Sequence, residues 1–385
     1  MPILSGILDK VGTNPNVPNS KHIRLEFRYC LGFRVSNLGF HMGHKEIHKI
    51  LFITLSNIGD VVLTLPVLSA LKDNFTDAAI DIVVGPRPKE IFVKDPRVRR
   101  MFVYDKHARI ADKIGLIRKL RKERYDLAVD MRTSLIPFLI GARHRPGFIH
   151  SRPLSIPPKE PRALARVGSI SVYKDIIKHK KAIHLERLKP LEIGYNAQRN
   201  IYIDDKDRRI ITRLLEEKGV GHDDILIGIS PATRSPLKQW RTEGFIEVAG
   251  ALLKNNNLKI VLVGDTTQVD TSKEIENTLR HNSLINLTGK INLNKLFALI
   301  ERMQVLLTCD TASMHIAADL GVRVVAIFGP TDPEEYGPQG KDDVVIRREL
   351  ECSPCKKAIC VFKHECMCEI NANEVLKAVE SVLAV

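Results

Sequence analysis

The sequence predicts an α/β fold in which two domains, each built on a doubly wound parallel sheet, face each other across a cleft. Apolar runs rich in Ile, Val and Leu recur along the chain, and segments with helical spacing follow them. Many of these runs stop at a short turn that contains Gly, Asp, Ser or Pro. Such alternation is typical of Rossmann-like parallel sheets with helices on both faces. Because the pattern occurs twice, the 385 residues divide into two such domains.

The individual elements follow from the same pattern. In the first half, strands are predicted at 50–55, 80–84, 101–104 and 125–130, and helices at 61–74 and 114–123. In the second half, strands are predicted at 225–229, 259–263, 305–308 and 324–328, and helices at 240–254 and from the turn after 309 to 320. Gly321 stands where a helix C-cap glycine is expected, and residues 204–223 join the two halves. Ligands of open parallel sheets bind beyond the carboxyl ends of the strands, so the loops there are the candidate site.

The chain is strongly basic, with 59 Lys and Arg against 45 Asp and Glu and a formal net charge of +14. Residues 86–124 hold 14 basic and 5 acidic residues, and residues 141–190 hold 12 and 3, so the excess lies in the first half. This surplus indicates an anionic partner: nucleic acid, an acidic membrane surface or a phosphorylated substrate. No nucleic-acid motif accompanies the basic runs, so we expect no nucleic-acid partner.

The sequence also restricts the expected location. It has no run approaching the ~18–20 apolar residues of a membrane-spanning helix. Residues 1–20 are polar and lack the apolar core of a secretory signal, so a cytoplasmic location is expected. Residues 21–47 mix basic and apolar residues without helical spacing. They are either a segment that contacts a membrane surface or an extension packed on the first domain.

The turn after the first strand contains Gly59 and Asp60, with Pro66 six residues further on. The glycine permits a tight strand-to-helix turn. The aspartate is either a helix N-cap or a general base at the mouth of the cleft. The turn lacks the GxGxxG pattern of dinucleotide-binding domains, which disfavours an oxidoreductase.

Two loops in the second half have the composition of anion sites. Residues 230–240 combine small and hydroxyl residues with Arg234 and Lys238, which suits phosphate oxygens. The only tryptophan, Trp240, is expected to anchor the following helix in the core. In the other loop, Asp310 or Thr311 begins a helix whose free N–H groups would face the cleft and suit a pyrophosphate.

These segments together resemble the ADP-heptose:lipopolysaccharide heptosyltransferases, the inverting family-9 glycosyltransferases of two-domain GT-B fold. The similar strings are ILFITLSNIGDVVLTLPVLSALK, ISPATRSPLKQW and CDTASMHIAADLGVRVVAIFGPTDP. They stand in the family's order over about residues 49–370. The chain differs at Ala312, where glycine is common, and at Thr266-Thr267-Gln268, where characterised members have a glutamate that contacts the nucleotide sugar.

The resemblance implies a role for each matching position. The catalytic base is Asp60. The donor-binding positions are Thr233, Lys238, Asp310, Thr311, Ala312, Ser313 and His315. Further cleft-lining positions are Gly59, Arg234, Gly264, Gly329 and Pro330. The implied domains are a basic extension (1–48), an acceptor-binding domain (49–205), a donor-binding domain (206–350), and a Cys-rich segment with a C-terminal helix (351–385).

The implied reaction is inverting transfer of a sugar from a nucleotide-sugar donor, ADP-heptose in this family, to an anionic glycolipid acceptor such as the lipopolysaccharide core. No metal cofactor is expected, because fixed donors and Lys238 can stabilise the leaving group. Peripheral contact with the cytoplasmic face of the inner membrane is expected from the basic first domain and a lipid-linked acceptor. The alternatives are the same fold with another sugar nucleotide, a sugar-nucleotide epimerase, and a non-enzymatic binder of anionic polysaccharide.

Five of the seven cysteines lie close together near the C-terminus, at positions 352, 355, 360, 366 and 368. CxxC is a common half of a zinc site. We expect structural thiols without metal at Cys352, Cys355, Cys360 and Cys366, while a zinc site and a redox role remain alternatives. The close spacing and the cytoplasmic setting argue against stable disulfides.

Overall fold

A computed structural model describes residues 47–146, 179–196, 199–355, 357 and 359–384. All of them belong to one compact unit that spans residues 42–385. Except for its last two residues, the predicted basic extension at 1–48 lies outside the described residues. So do residues 21–47, apart from Ile47, for which a membrane-contacting segment and an extension packed on the first domain were both open.

The first sheet has four parallel strands in the order β3-β2-β1-β4. They are β1 (Lys49–Ile53), β2 (Ala79–Val84), β3 (Val98–Val103) and β4 (Leu127–Asp130). The helices of this part are α1 (Ile58–Val62), α2 (Leu65–Asn74), α3 (Ile110–Lys122), α4 (Ile136–Leu139) and α5 (Lys180–Glu186). β1 is buried from its second residue onward, as expected for a central parallel strand.

The second sheet has six parallel strands in the order β10-β9-β8-β5-β6-β7. They are β5 (Ile225–Ser230), β6 (Leu258–Leu262), β7 (Leu284–Asn286), β8 (Val305–Cys309), β9 (Arg323–Phe328) and β10 (Val344–Arg347). The helices are α6 (Asp205–Glu217), α7 (Thr242–Leu252), α8 (Val269–Leu279), α9 (Leu293–Glu301), α10 (Ala312–Leu320), α11 (Pro333–Tyr336), α12 (Glu365–Cys368) and α13 (Ala372–Leu383). Short 3-10 turns lie at Pro88–Phe92, Lys189–Leu191, Pro236–Lys238 and Thr266–Gln268.

One predicted element is wrong. The single helix predicted at 61–74 is two helices, because α1 ends at Val62 and α2 begins at Leu65 with Pro66 in its first turn. Proline has no N–H to continue a preceding helix but is favourable at a helix start. The connecting segment predicted at 204–223 contains α6, whose first turn is capped by the Asp204 carboxylate accepting from the Lys206 N–H at 2.8 Å.

The C-terminal helix and the tryptophan belong to the second domain's core. Trp240 is fully buried, with its ring edge-on to Phe245 at a centroid distance of 4.9 Å. Its indole N–H donates to the carbonyl of Ile370 at 3.1 Å. The prediction of Trp240 as a core anchor is confirmed. Gly321 ends α10 at φ 73°, a left-handed conformation that favours glycine, as predicted.

The chain that joins the sheets is fixed by hydrogen bonds on both sides. Asp319 of α10 accepts from the N–H groups of Asn200 and Ile201 at 2.9 and 2.8 Å. The guanidinium of Arg97, which follows the first domain's 3-10 turn, donates to the carbonyl of Asn200 at 2.6 Å. These bonds place the carboxyl ends of the two sheets on opposite sides of one cavity. Within the described residues, no helix is both long and apolar enough to span a bilayer.

Candidate active site

A cavity of about 900 Å³ lies between the two sheets at the carboxyl ends of their strands. Both domains contribute to its wall, as expected for a ligand site in two facing parallel sheets. The first domain contributes Asn57, Ile58, Gly59, Asp60, Arg87 and Glu90. The second contributes, among others, Ser230, Thr233, Arg234, Lys238, Gly264, Asp265, Asp310, Thr311, Ala312, Ser313, His315, Pro330, Thr331 and Tyr336.

Asp60 lies in the first turn of α1 and is half-buried in the cavity wall. It is not the N-cap, one of the two interpretations open from the sequence, because Asn57 occupies that position. The side-chain amide of Asn57 donates to Oδ2 of Asp60 at 2.9 Å. None of the described residues forms an ion pair with this carboxylate. It can therefore accept a proton from a group in the cavity.

Gly59 permits a close approach between the two domains. A Cβ atom here would lie 2.8 Å from Cδ2 of His315 and 3.6 Å from the Cα of Ala312, both on α10. A Cβ contact below 3.0 Å requires a neighbour to move. The absence of a side chain at this position thus lets α1, with Asp60, pack directly against the start of α10.

The N-terminus of α10 forms part of the cavity wall and could bind an anion. Its N-cap, Thr311, makes no side-chain capping bond, because its hydroxyl lies 2.9 Å from that of Thr308 instead. Thr311, Ala312 and Ser313 all line the cavity. The first N–H groups of a helix have no intrahelical acceptor and lie at the positive end of its dipole, which favours a phosphate group.

Lys238 and Asp310 form a part-buried ion pair beside this helix start. The ammonium group lies 2.5 Å from Oδ2 of Asp310, which also accepts from the Thr331 hydroxyl at 2.7 Å. The Asp310 side chain is 7% exposed and that of Lys238 is 30% exposed. Asp310 thus holds the lysine at the cavity wall while leaving part of its ammonium group accessible to a ligand.

Two further loops complete the second domain's side of the cavity. The Thr233 N–H donates to Gln239, and its hydroxyl donates to the Ser235 carbonyl at 2.6 Å, which fixes the turn. Arg234 pairs with Asp265 at 2.8 Å, linking this turn to the loop after β6. The hydroxyl and amide bonds of Thr267 and the guanidinium of Arg234 hold the pKa of Asp265 below its ordinary value, against the opposing effect of burial.

Burial fixes the protonation of two other side chains at the cavity. It lowers the pKa of the His315 imidazole to about 4, so His315 is neutral at neutral pH. Burial also raises the pKa of the Tyr336 hydroxyl to about 12, with the negative charges of Glu335, Asp60 and Asp310 adding to the shift. Tyr336 therefore keeps its proton and can donate a hydrogen bond. Asp60 and Asp310, from different domains, line the same cavity as Tyr336.

The structure brings nearly all of the predicted site residues together. The exception is Gly329, which is buried and is absent from the cavity wall. A Cβ at Gly329 would meet the Met367 sulfur at 2.5 Å, so this glycine faces α12 rather than the cleft. Tyr336, Glu90 and Arg87 were missed, because none of them stands in the motifs that mark strand ends.

Cys366 is the buried cysteine of the Cys-rich segment. Burial raises the pKa of the Cys366 thiol to about 11, with Cys352, Cys355 and Cys360 contributing electrostatically. Among the residues that the structure describes, no group of three or more His, Cys, Asp or Glu side chains is arranged to hold a metal ion. The Cys-rich segment packs against two loops of the cavity wall. The N–H of Cys355 donates to the carbonyl of Pro330, and the imidazole of His364 is hydrogen-bonded to the carbonyl of Leu237.

Comparison with solved structures identifies the architecture. The family-9 glycosyltransferase of Veillonella parvula DSM 2008 superimposes with a TM-score of 0.71 at 23% identity, covering 88% of this chain and 97% of that one. The E. coli ADP-heptose lps heptosyltransferase II superimposes with a TM-score of 0.66 at 21% identity, covering 87% and 98%. The predicted α/β class and GT-B arrangement of two facing Rossmann-like domains are confirmed.

Sequence comparison extends the similarity to function. Lipooligosaccharide heptosyltransferase 2 of Haemophilus influenzae is 27% identical over 321 residues, covering 79% of this chain and 89% of that protein. Lipopolysaccharide heptosyltransferase 3 of E. coli K12 is 28% identical over 299 residues, covering 73% and 82%. The model of glycosyltransferase family 9 (heptosyltransferase) matches residues 114–365, well over half of the chain. The chain therefore belongs to glycosyltransferase family 9, the heptosyltransferase family.

Proposed function

We propose that this protein transfers heptose from ADP-heptose to a hydroxyl of a lipopolysaccharide core acceptor, with inversion at the anomeric carbon. One observation carries the proposal: an accessible carboxylate, Asp60, lies across a single cavity from a lysine and an uncapped helix start. A base and a diphosphate site facing each other are what such a transfer needs. The named relatives are heptosyltransferases, which supports the choice of sugar.

The donor's diphosphate is proposed to bind at the second domain. The N–H groups at the start of α10, the Lys238 ammonium and the Thr233 hydroxyl can all donate to phosphate oxygens. Asp310, held next to Lys238, is placed to accept from sugar hydroxyls. The loop after β6, with Gly264 and Asp265, supports the nucleoside end of the donor.

Asp60 is proposed to act as the general base. It takes the proton of the acceptor hydroxyl while that oxygen attacks the anomeric carbon from the face opposite the diphosphate. The bond between the anomeric carbon and the phosphate oxygen breaks, and its electron pair leaves with the nucleoside diphosphate. Lys238 and the helix N–H groups stabilise the charge that develops there. His315 packs against Gly59 and is neutral, so it adds no second positive charge beside the base.

The acceptor is proposed to bind at the basic first domain while the protein contacts a membrane surface. Ile110, Ile114, Leu135, Phe138 and Leu139, here called the apolar face, belong to or adjoin α3 and α4 and are 44–76% exposed. α3 and α4 contact each other, and basic residues adjoin them in sequence at Arg109, Lys113 and Arg143. Apolar side chains with a basic rim suit an anionic lipid surface on the cytoplasmic side of the inner membrane.

Calorimetric titration with ADP, UDP, GDP and dTDP tests the donor assignment without requiring an acceptor. We expect ADP to bind tightest, after which transfer of heptose to a lipopolysaccharide core is measured directly. A clear preference for another nucleotide would replace ADP-heptose with a different sugar nucleotide on the same fold. If none of the four bound, the glycosyltransferase proposal would be wrong and a binder of anionic polysaccharide would take its place.

An epimerase of the same fold would need the donor alone. It would convert the sugar nucleotide with no acceptor present, so mass spectrometry of the donor after incubation with the protein distinguishes it. We expect the ADP-heptose to be recovered unchanged unless an acceptor is added.

A further inference from the structure

Two arginines, Arg132 and Arg187, make no ion pair with a described residue. They meet at the carboxyl end of β4, where the main-chain N–H of one and the guanidinium of the other donate to Asp130. The N–H of Arg132 donates to Oδ1 of Asp130 at 2.7 Å. The guanidinium of Arg187, which follows α5, donates to the main-chain carbonyl of Asp130. β4 pairs in parallel with β1, and the chain after β1 leads to Asp60. The two arginines and the proposed base therefore lie at the carboxyl ends of neighbouring strands.

Neither guanidinium is neutralised within the described part of the chain. The carboxylate of Asp130 is occupied by the N–H of Arg132 and by the N–H and hydroxyl of Ser134, at 2.7 Å each. The Arg132 side chain stacks on the Tyr104 ring at 4.9 Å and makes no ion pair with a described residue. Neither guanidinium is therefore hydrogen-bonded to a carboxylate among the described residues.

Three nitrogens of this group are buried without a hydrogen-bond partner among the described residues. They are Nη1 of Arg132, Nε of Arg187 and Nδ1 of His184, one turn before Arg187 on α5. His184 is 8% exposed. Unsatisfied buried polar atoms are rare and costly in folded proteins, so each such group requires a structural or functional explanation. No other buried side-chain nitrogen or oxygen in the described residues is left without a partner.

We propose that Arg132 and Arg187, with His184 beside them, bind an acidic group of the acceptor saccharide, a carboxylate or a phosphate. This assignment rests on the proposed function and adds to it the residues that recognise the acid of the acceptor. Planar guanidinium groups bind both kinds of oxyanion through paired N–H donors. Burial lowers the pKa of Arg187, which indicates that the cation lacks solvation that an anion would supply.

The bound acid would fix the acceptor relative to Asp60. The reacting hydroxyl of a saccharide must lie within hydrogen-bond reach of the base, and one anchored anionic group restricts the sugar to few orientations. A neutral saccharide would leave both guanidinium groups without partners and would bind weakly. The arginines therefore act on the choice of acceptor rather than on the donor.

Arg132→Gln is the principal test, because it leaves the bond from Arg187 to Asp130 intact. With an acidic acceptor, we expect the acceptor KM to rise about tenfold to hundredfold and calorimetric ADP binding to stay unchanged. Arg187→Gln should have the same effect, and thermal unfolding checks its fold. Arg100→Gln is the matched control, since it removes one charge from an exposed arginine of the same domain that pairs with Glu123. It should leave the acceptor KM unaltered.

Two acceptors identify the bound group, one with a carboxylate only and one with a phosphate only. The acceptor that loses affinity in Arg132→Gln contains the recognised acid. When that acid is masked as an ester, the acceptor should have the same KM with the wild type and with Arg132→Gln. An unchanged KM in Arg132→Gln, or an equal rise in Arg100→Gln, would overturn the assignment. If no acceptor reacts with the wild type, the proposed function fails first. Calorimetric titration of the acidic saccharide alone then tests whether the arginines bind its acid. Equal affinity of wild type and Arg132→Gln for this saccharide would overturn the assignment.

Discussion

Lys238, Asp310 and His315 show how neighbours determine what a single side chain can do in this cavity. Asp310 holds the ammonium of Lys238 at 2.5 Å, so the lysine is in position before a donor arrives. His315 is neutral because burial outweighs the attraction of the carboxylates of Asp310 and Asp60. The cavity therefore has one ordered cation at the helix start rather than two competing ones.

Replacing Lys238 by Met should weaken nucleoside diphosphate binding. The variant loses a charge-assisted bond to phosphate and leaves the buried Asp310 carboxylate without its cation. We expect the Kd for ADP, measured by calorimetry, to rise about tenfold to hundredfold. Arg241→Met is the control, because Arg241 pairs with Glu247 outside the cavity wall. Equal ADP binding by wild type and Lys238→Met would contradict the proposed role of this lysine.

His315 should make the stability of the fold depend on pH. Its pKa is about 4 in the folded protein and 6.5 ordinarily, so in that window the unfolded chain binds a proton that the folded chain does not. The free energy of unfolding therefore falls as the pH decreases through this range, by about 2 kcal/mol at pH 5 for this residue. Urea unfolding at about pH 7.5 and about pH 5 measures the difference.

His315→Asn separates this contribution from that of other groups. The variant should lose less stability on acidification than the wild type, by the same ~2 kcal/mol. His184, whose pKa burial also lowers to about 4, still titrates in the variant. An identical loss in both proteins would show that His315 is not the group responsible.

The sequence could predict most site residues because they stand in loops directly after strands. Asp60, Lys238 and Asp310 follow β1, β5 and β8, and parallel strands bring such loops to one edge. Tyr336 and Glu90 reach the cavity through tertiary packing instead. No local pattern distinguishes a glutamate that accepts from the N–H of Leu293 in another domain from an ordinary surface glutamate.

At the scale of elements, the contact between α1 and α10 is what joins the two halves of the site. α1 has only five residues, and Gly59 on it lies against His315 and Ala312 of α10. The contact places Asp60 next to the helix start that is proposed to bind the diphosphate. A short helix with a glycine at its contact point allows the two domains to approach this closely.

Gly59→Ala should separate the two helices. Its Cβ would lie 2.8 Å from His315, so α1 must shift and Asp60 moves away from the donor. We expect the transfer rate to fall about a hundredfold, since a displacement of about 1 Å can have this effect, while the Kd for ADP changes little. Gly115→Ala is the matched control, because a Cβ there meets nothing within 4 Å. It should keep full activity, and wild-type activity in Gly59→Ala would contradict the importance of this contact.

Long apolar runs were sufficient to predict the central strands but not the boundaries or the edges. The predicted and observed limits of β1, β5 and β8 agree to within two residues. β7 has only three residues and β10 is only partly buried, so neither has the signal of a central strand. The break between α1 and α2 depends on a proline and on the Thr54–Thr64 hydroxyl pair, which joins the residue after β1 to the turn between the helices.

At the scale of the whole molecule, charge and apolar exposure lie on the domain that is proposed to receive the acceptor. The net charge of +14 resides mainly in the first half of the chain. The apolar face belongs to the same domain. A soluble donor can enter from solvent, whereas a lipid-linked acceptor must be taken from a surface. The distribution of charge suits that difference.

The variant Leu135→Ser/Leu139→Ser should weaken binding to vesicles that contain anionic lipid. Removing two exposed leucines reduces the apolar area available for insertion, and we expect vesicle affinity in flotation to fall about tenfold or more. Activity on a vesicle-bound acceptor should fall with it, while activity on a water-soluble acceptor stays unchanged. Ile359→Ser, at an equally exposed position of the Cys-rich segment, is the control. A wild-type protein that stays in solution even at low salt would contradict membrane contact altogether.

The rate of heptose transfer by Asp60→Asn tests the central claim most directly. Wild type and variant are compared in single-turnover reactions with ADP-heptose and a lipopolysaccharide core acceptor, and product is measured by mass spectrometry. Asparagine keeps the shape of the side chain but cannot take the proton, so we predict a rate about 10²- to 10⁴-fold lower with unchanged ADP binding. Transfer by Asp60→Asn at the wild-type rate would contradict the assignment of Asp60 as the base.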